Sequence, residues 1–342
     1  MNSATYGPYD KNRHVVRRSD SSSTDSRLHR RLRQSMARFL APSPRGDFRS
    51  ASARTAGSRE RAAIEAIHRT PDWRAVFVAE TAVRLSMSCD GNDYLACDLP
   101  DTVAVVDEFL EVYLESPLDL GNGGLGFVGG LNLFFALRRT RPHLYVESGV
   151  HRGGSLYLAS RALPQGSLVG VDISLSQLEH HPAEATVLEG DLWEALDGAS
   201  ISCEDAFVFL DDHQSHLDRL EEARRRGIRY AFVDDAWNTG ALWLTGEVPF
   251  PSVPTIFALG LLESSAPSEL VAENKQGSVV QIELPPELVL RCQRFAAVIE
   301  APTVMPETYA RTLVPSFQWF VSLGQRLRSA PLEGRKKRDR QP

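Results

Sequence analysis

The sequence predicts an α/β protein in which a helical cap precedes a doubly wound, mostly parallel β-sheet. Three observations predict this fold class. After Pro142, short apolar runs alternate with helical segments, as they do when helices connect parallel strands. An acidic residue ends or follows each of these apolar runs. Before Pro142, apolar residues recur at helical spacing.

Residues 1–57 predict a basic tail that is rich in Ser and Arg and poor in large apolar residues. Such a composition does not bury enough apolar surface to form a core, so disorder is the favoured interpretation. Within it, Leu28–Phe39 has the pattern of a basic amphipathic helix, which would suit a membrane surface, a partner or a transit peptide. Residues 329–342 predict a second basic tail.

Residues 58–130 predict a helical cap followed by a glycine-rich loop. Ile64 and Ile67 share one helical face, and Pro71 after a threonine is typical of a first helical position. Residues 121–126 include four glycines and form a backbone-permissive loop. This loop either closes over a ligand or is a plain connector.

Residues 131–328 predict the α/β domain, which opens with a helix over Leu131–Arg139. Apolar runs of strand length then predict five buried strands. These strands are Leu144–Glu147, Leu168–Asp172, Thr186–Leu188, Phe207–Asp211 and Tyr230–Asp234. A late strand is expected over Ser278–Leu284, and a closing helix over Tyr309–Arg326.

Acidic residues mark the carboxyl ends of these strands at intervals of 19 to 25 residues. Ligands of open parallel sheets bind at that edge, because loops and helix N-termini converge there. The acids are Glu147, Asp172, Asp191, Asp211, Asp234 and Asp235. Carboxylates that converge repel one another unless a cation neutralises them, and such oxygen ligands favour Mg²⁺. The alternative is structural: Asp234 and Asp235 cap a turn while Asp211 pairs with an arginine such as Arg152.

The first strand is followed by a glycine-containing turn, Glu147-Ser148-Gly149-Val150-His151-Arg152-Gly153-Gly154-Ser155, and then by a helix. Glycines let a backbone approach a ligand closely, and the opening helix presents free N–H groups. The turn lacks the G-x-G-x-x-G spacing that is typical of dinucleotide binding, which disfavours a nicotinamide enzyme. Asp172 is placed to accept hydrogen bonds from ribose hydroxyls.

Composition narrows the class of partner. The net charge is −6, and no basic stripe interleaved with aromatic residues predicts nucleic-acid binding. No apolar stretch reaches the ~20 residues of a membrane span, and no signal sequence follows Met1, so a cytoplasmic location is expected. The four cysteines fit neither a zinc site nor a secreted disulfide framework, and reduced thiols are expected. The expected partner is a small molecule, and the sequence leaves homo-oligomerisation open.

Several motifs, in order over residues 125–245, resemble class I S-adenosylmethionine (SAM)-dependent methyltransferases, nearest the cephalosporin hydroxylase and sugar O-methyltransferase group. The Val146–Ser155 segment resembles the first motif, Val171-Asp172-Ile173 the second and Glu189-Gly190-Asp191 the third. Phe209–His213 and Val233–Asp235 resemble metal-binding motifs that this group shares with catechol O-methyltransferases. The family more often has Asp-Gly-Asp-His where this chain has Asp211-Asp212-His213, so the resemblance leaves open which aspartate is the ligand.

The resemblance implies a class I methyltransferase fold and a metal-assisted O-methyltransferase acting on a hydroxylated sugar or natural product. The resemblance implies that SAM binds at Gly149, Gly153, Ser155 and Asp172, and that Mg²⁺ or another hard divalent cation binds at Asp211, Asp234 and Asp235. Glu147, Gly154 and Asp191 are further candidates for cofactor binding. His213 is the first candidate for the general base, because imidazole titrates near neutrality and the residue follows the metal motif. His151, in the glycine turn, is the second candidate.

Two alternatives stay open at this point. One is a methyltransferase-like protein that binds without turnover, since membership of a fold family supports the fold more than the activity. The other is an enzyme that keeps the same sheet but uses another nucleotide such as NAD.

Overall fold

The computed structural model describes residues 51–121, 125–236, 241–242, 251–260, 269–274, 279–299, 302–305 and 317–323. The chain divides into two units, residues 1–47 and 48–342, and every described residue belongs to the second. Most of the predicted N-terminal tail and all of the predicted C-terminal tail lie outside the described residues. Within the described residues, no helix is long and apolar enough to cross a membrane.

Four helices precede the sheet, and the last of them contains the predicted helix Leu131–Arg139 but begins at Gly126, inside the predicted glycine-rich loop. They are α1 (Ala51–His68), α2 (Pro71–Cys89), α3 (Leu99–Glu115) and α4 (Gly126–Thr140). Helix α1 begins inside the stretch predicted as tail, because its first half is rich in alanine and arginine, which are strong helix formers. Pro71 is the first residue of α2, as predicted. Asp98 caps α3 by accepting a hydrogen bond from the Asp101 N–H at 2.8 Å.

Five parallel strands form the centre of the main sheet, in the order β3-β2-β1-β4-β5. They are β1 (Leu144–Ser148), β2 (Ser167–Asp172), β3 (Thr186–Glu189), β4 (Phe207–Leu210) and β5 (Tyr230–Ala236). The intervening helices are α5 (Gly154–Ala162), α6 (Leu192–Gly198) and α7 (His216–Arg225). All five predicted strands are present. Burial is confirmed for β1, β2 and β4 and for the first half of β5, whereas β3, at the edge of the sheet, has no buried residue.

The edge beyond β5 corrects one prediction. The closing helix expected over Tyr309–Arg326 is wrong at Phe317–Ser322, which is a strand, β10, antiparallel to β5. Phe320 and Val321 are both buried, but in different hydrophobic cores on opposite faces of the sheet. The segment therefore follows the two-residue period of a strand. The other residues of the expected helix, apart from Leu323, lie outside the described part of the chain.

Strand β9 (Thr303–Val304) lies antiparallel beside β10 and completes a seven-stranded sheet of order β3-β2-β1-β4-β5-β10-β9. The inserted antiparallel β10 distinguishes this sheet from the all-parallel 3-2-1-4-5-6 order of dinucleotide-binding folds. The architecture is the predicted α/β fold with a mostly parallel sheet, preceded by helices.

A smaller sheet has the order β6-β7-β8 and is formed by Ala241–Leu242, Glu269–Asn274 and Val279–Glu283. The strand predicted over Ser278–Leu284 is therefore confirmed, although it belongs to this second sheet. Helices α8 (Val253–Gly260) and α9 (Pro286–Val298) contribute to the core on one face of the main sheet.

The main sheet separates two hydrophobic cores. Its aromatic side chains, among them Tyr145, Phe207 and Phe232, share one core with helices α1 to α5. Aliphatic neighbours such as Val146 and Val208 face the other core, with α6 to α9. Full burial of each such side chain stabilises the fold by about 1.5–3 kcal/mol. The cap helices therefore share their core with the sheet and help to position its carboxyl-terminal edge.

Candidate active site

A cleft lies at the carboxyl-terminal edge of the main sheet, where the cap meets the turn after β1. Its lining residues are Leu118, Asp119, Leu120, Leu125, Gly149, Val150, His151, Arg152, Gly154, Ser155 and Asp211. The space inside is about 30 Å³, room for about one water molecule. Ligand pockets usually measure about 300–1,000 Å³, so a nucleotide enters only if this cleft widens.

Gly149 and Gly153 have φ values of +96° and +94°, which disfavour other residues. A Cβ on Gly149 would lie 2.3 Å from the Asp211 carbonyl oxygen, and one on Gly153 would lie 1.8 Å from the His180 carbonyl oxygen. The close approach that requires glycine is therefore that of the chain's own backbone. Contact of these two glycines with a cofactor stays a prediction.

Glu147 is fully buried at the end of β1, beneath the glycine turn. Its Oε1 accepts a hydrogen bond from Ser155 Oγ at 2.6 Å, and its Oε2 accepts one from Tyr145 Oη at 2.7 Å. Burial raises the pKa of the carboxyl to about 7, although both hydrogen bonds act to lower it. Glu147 does not line the described cleft. Its visible role is to fix Ser155 in the first turn of α5.

Asp172 ties the end of β2 to the glycine turn. Its carboxylate accepts hydrogen bonds from the His151 N–H at 2.8 Å and from the Ser174 N–H at 3.1 Å. The side chain is only half-buried, and an ionised carboxylate has about four acceptor positions. Asp172 can therefore still accept hydrogen bonds from ligand hydroxyls.

The two basic residues of the turn are held by the segment after β2. His151 Nε2 lies 2.8 Å from Gln177 Oε1. Arg152 donates from Nε and Nη2 to the two carboxylate oxygens of Glu179, at 2.7 and 2.6 Å. This bidentate pair uses two of the Arg152 donors. It therefore disfavours the alternative in which Arg152 pairs with Asp211.

A buried arginine on α7, Arg219, joins the loops that follow β3 and β4. Its Nη2 lies 2.7 Å from Asp191 Oδ2 and 2.8 Å from Asp212 Oδ2. Ser148 Oγ, at the end of β1, also donates to Asp212 at 2.6 Å. The bond to Arg219 is the main cause that lowers the pKa of Asp191, which also caps α6 by accepting from the Trp193 N–H. The charge of Asp212 is thus compensated by Arg219 within the protein.

Asp211 and Asp234 follow residues that are paired in neighbouring parallel strands, Leu210 with Val233. Adjacent strands lie about 4.8 Å apart, so the backbone brings these two predicted ligands side by side. The side chain of the third predicted ligand, Asp235, lies outside the described residues. The residues in place have the oxygen chemistry that Mg²⁺ requires.

The two candidate bases occupy different surroundings. His151 lines the cleft, whereas His213 is not among the described residues that line it. His213 has a φ of +57° in the loop between β4 and α7. The nearby His216 is buried, and its Nδ1 lies 3.3 Å from the Val253 nitrogen, which donates to it. Burial, with a smaller effect of His213, lowers the pKa of His216 to about 3, so this ring is neutral.

Sequence reasoning missed the cap side of the cleft. Asp119 lines it, and Glu60 and Arg61 of α1 bind the segment that carries Asp119. These contacts join residues more than 50 positions apart, and no local pattern in the sequence marks them. In the sequence, the glycines near residue 121 marked this segment as either a loop that closes over a ligand or a plain connector.

No protein-family model matches the chain, and no curated protein matches it. Solved structures do match. CmcI in its apo form is 20% identical, over 37% of this chain and 64% of that one, with a TM-score of 0.27. The O-methyltransferase from Bacillus cereus in complex with SAH is 15% identical, over 71% of this chain and 99% of that one, with a TM-score of 0.34.

MycE from the mycinamycin biosynthetic pathway, in complex with Mg, SAH and mycinamycin VI, is 15% identical, over 73% of this chain and 64% of that one, with a TM-score of 0.39. The chain thus spans slightly less than two thirds of CmcI and of MycE. These proteins include methyltransferases, the class that the sequence motifs resemble.

Proposed function

We propose that this chain is a SAM-dependent O-methyltransferase that uses a divalent cation and acts on a hydroxylated small molecule. The observation that carries the proposal is the meeting of three features at one edge of this fold. They are the glycine turn that opens α5, Asp172 at the end of β2, and the pair Asp211 and Asp234, which follow paired residues of β4 and β5.

The donor would lie along the turn after β1. The first N–H groups of α5, at Gly154 and Ser155, have no carbonyl partner within the helix and suit the carboxylate of the methionine part. Asp172 suits the ribose hydroxyls. The carboxylates of Glu147 and Asp191 are bound to other groups of the protein, so both residues would support the donor site indirectly. Glu147 would fix Ser155, and Asp191 would cap α6.

Asp211, Asp234 and Asp235 would hold Mg²⁺. Asp211 is a better candidate than Asp212, because Arg219 and Ser148 already bind the Asp212 carboxylate. When bound, the cation would lower the pKa of an acceptor hydroxyl and orient it, while SAM would supply an electrophilic methyl group. His213 stays the first candidate to remove the hydroxyl proton, and His151, whose ring is bonded to Gln177, the second.

The narrow cleft is the one observation that favours the non-catalytic alternative, a methyltransferase-like protein that binds without turnover. NAD is disfavoured by the missing dinucleotide fingerprint and by the antiparallel strand β10. Turnover therefore separates the proposed enzyme from both alternatives.

Methyl transfer from radiolabelled SAM to catechols, sugars and polyhydroxylated natural products would test the proposal, with Mg²⁺ or with a chelator. We expect transfer that requires the cation. Asp234→Asn should abolish the cation-dependent transfer. Its affinity for SAM should stay within about threefold of wild type, because the proposed donor site lies beside β1 and β2. Asp218→Asn is the matched control, an exposed carboxylate paired with Arg291 on the far side of α7. Failure to bind SAM, together with no transfer, would contradict the proposal.

A further inference from the structure

The connection between α3 and α4, part of which faces the glycine turn, is bound at its two ends by two consecutive residues of α1, Arg61 and Glu60. We call this connection the cap segment. Arg61 binds its first end. The guanidinium Nη2 donates to the Leu114 carbonyl at 2.7 Å, and Nη1 lies 3.3 Å from the carbonyls of both Ser116 and Leu118. These carbonyls lie at and just beyond the end of α3, where backbone acceptors have no partner within the helix. Arg61 therefore fixes the path of the chain into the cleft.

Glu60 binds the other end. Its Oε1 accepts hydrogen bonds from the Phe127 N–H at the start of α4 and from Tyr113 Oη, both at 2.8 Å. A carboxylate at a helix N-terminus is favoured by the free N–H groups and by the helix dipole. The segment between the two anchors includes Asp119, and its described lining residues close the cleft opposite Gly149 and Ser155.

Asp119 is a half-buried carboxylate in this cleft. Its Oδ1 accepts a hydrogen bond from the Gly121 N–H at 3.3 Å. Among the described residues no cation lies within ion-pair distance of it. Arg152 is close enough for Asp119 to contribute to its raised pKa, but the main cause is the hydrogen bonding to Glu179, which takes the Nε and one Nη2 donor of that guanidinium. Within the described residues, the Asp119 carboxylate thus has one hydrogen bond and no ion pair, and it can accept hydrogen bonds from a further cationic group.

We propose that Asp119 binds the α-ammonium group of the amino-acid end of SAM. This inference rests on the proposed function and adds a residue that neither the motifs nor the resemblance indicates. Only two carboxylates line the described cleft, Asp119 and Asp211, and Asp211 stands beside Asp234 in the metal pair. Glu147 is enclosed and has both oxygens bonded to protein hydroxyls. A cationic group in the cleft thus has Asp119 as its carboxylate partner.

The test compares two ligands that differ at the amino-acid end. S-adenosylhomocysteine carries the ammonium group, whereas 5′-methylthioadenosine lacks that end of the molecule. Calorimetry with the full chain should show that Asp119→Asn weakens S-adenosylhomocysteine by about 10-fold or more, as the loss of a charge-assisted hydrogen bond requires. The affinity for 5′-methylthioadenosine should stay within about twofold. Asparagine can still accept from the Gly121 N–H, so the segment should keep its conformation.

Glu115→Gln is the matched control, because Glu115 precedes the same segment but is exposed and pairs with Arg161 outside the cleft. It should leave both affinities unchanged. If the wild-type chain binds S-adenosylhomocysteine and Asp119→Asn binds it equally well, or if both ligands weaken together, the inference is wrong while the proposed function stands. If the wild-type chain binds neither ligand, both fall.

Discussion

Replacement of Gly149 by alanine separates two explanations of this glycine. If glycine is needed because the backbone of β4 approaches it, Gly149→Ala should destabilise the fold and disturb Asp211. If glycine is needed only for contact with a ligand, the apo protein should tolerate the change. The structure supports the first explanation, because the Asp211 carbonyl oxygen would lie 2.3 Å from the new Cβ.

The expected magnitude combines two costs. A φ of +96° costs an L-residue about 1–2 kcal/mol relative to glycine. The Cβ contact is also about 1 Å shorter than an ordinary one, and overpacking of this kind costs about 1–3 kcal/mol. We therefore expect Gly149→Ala to lower the free energy of unfolding by about 2–5 kcal/mol.

Urea denaturation followed by circular dichroism would measure this change. Gly198→Ala is the control, because an added Cβ there meets nothing within 4 Å and alanine favours the helix. It should be neutral or stabilising by up to about 1 kcal/mol. A Gly149→Ala protein within about 0.5 kcal/mol of wild type, with SAM binding lost, would refute the backbone explanation.

Three further predictions concern ionisable side chains that are bound within the fold. Arg219→Gln should destabilise the fold by about 3–5 kcal/mol in urea denaturation, because it leaves the largely buried Asp212 without its cation. Arg161→Gln, in the exposed ion pair with Glu115, should cost less than about 1 kcal/mol. Glu147 has a folded pKa of about 7, above the reference of 4.5, so its contribution to stability is complete below about pH 4.5 and is lost as the pH rises through 7. Compared with Glu147→Gln, wild type should therefore lose about 3 kcal/mol more between pH 4.5 and pH 8 in denaturation titrations, and equal slopes would show that the carboxyl is not held neutral. Arg61→Met should speed amide hydrogen exchange in residues 116–121 by tenfold or more, and unchanged protection would show that Arg61 does not hold this segment.

The sheet was predictable because its signal is local. Each buried parallel strand is a short apolar run, and the acid that ends it follows directly in the sequence. The segment Phe317–Ser322 was predicted as part of a helix but is a strand. Its place between β5 and β9 depends on pairing with residues more than 80 positions away. Local spacing carries little information about such a contact.

The site was predictable in its position more than in its details. The motifs placed Asp172, Asp211 and Asp234 correctly at one edge. They did not reveal that Arg219 holds Asp212, the contact on which our proposal of Asp211 rather than Asp212 as the ligand rests. They also did not distinguish Glu147, which is enclosed, from Asp119, which lines the cleft. Burial and long-range pairing decide these roles, and neither can be read from spacing.

Calorimetric titration of the whole chain with SAM and, separately, with NAD tests the central claim most directly. The account predicts that SAM binds at one site per chain, that Asp172→Asn weakens it at least tenfold through the lost ribose contacts, and that NAD does not bind. Binding of NAD without SAM, or of neither nucleotide, would contradict the assignment of this edge of the sheet as a methyl-donor site.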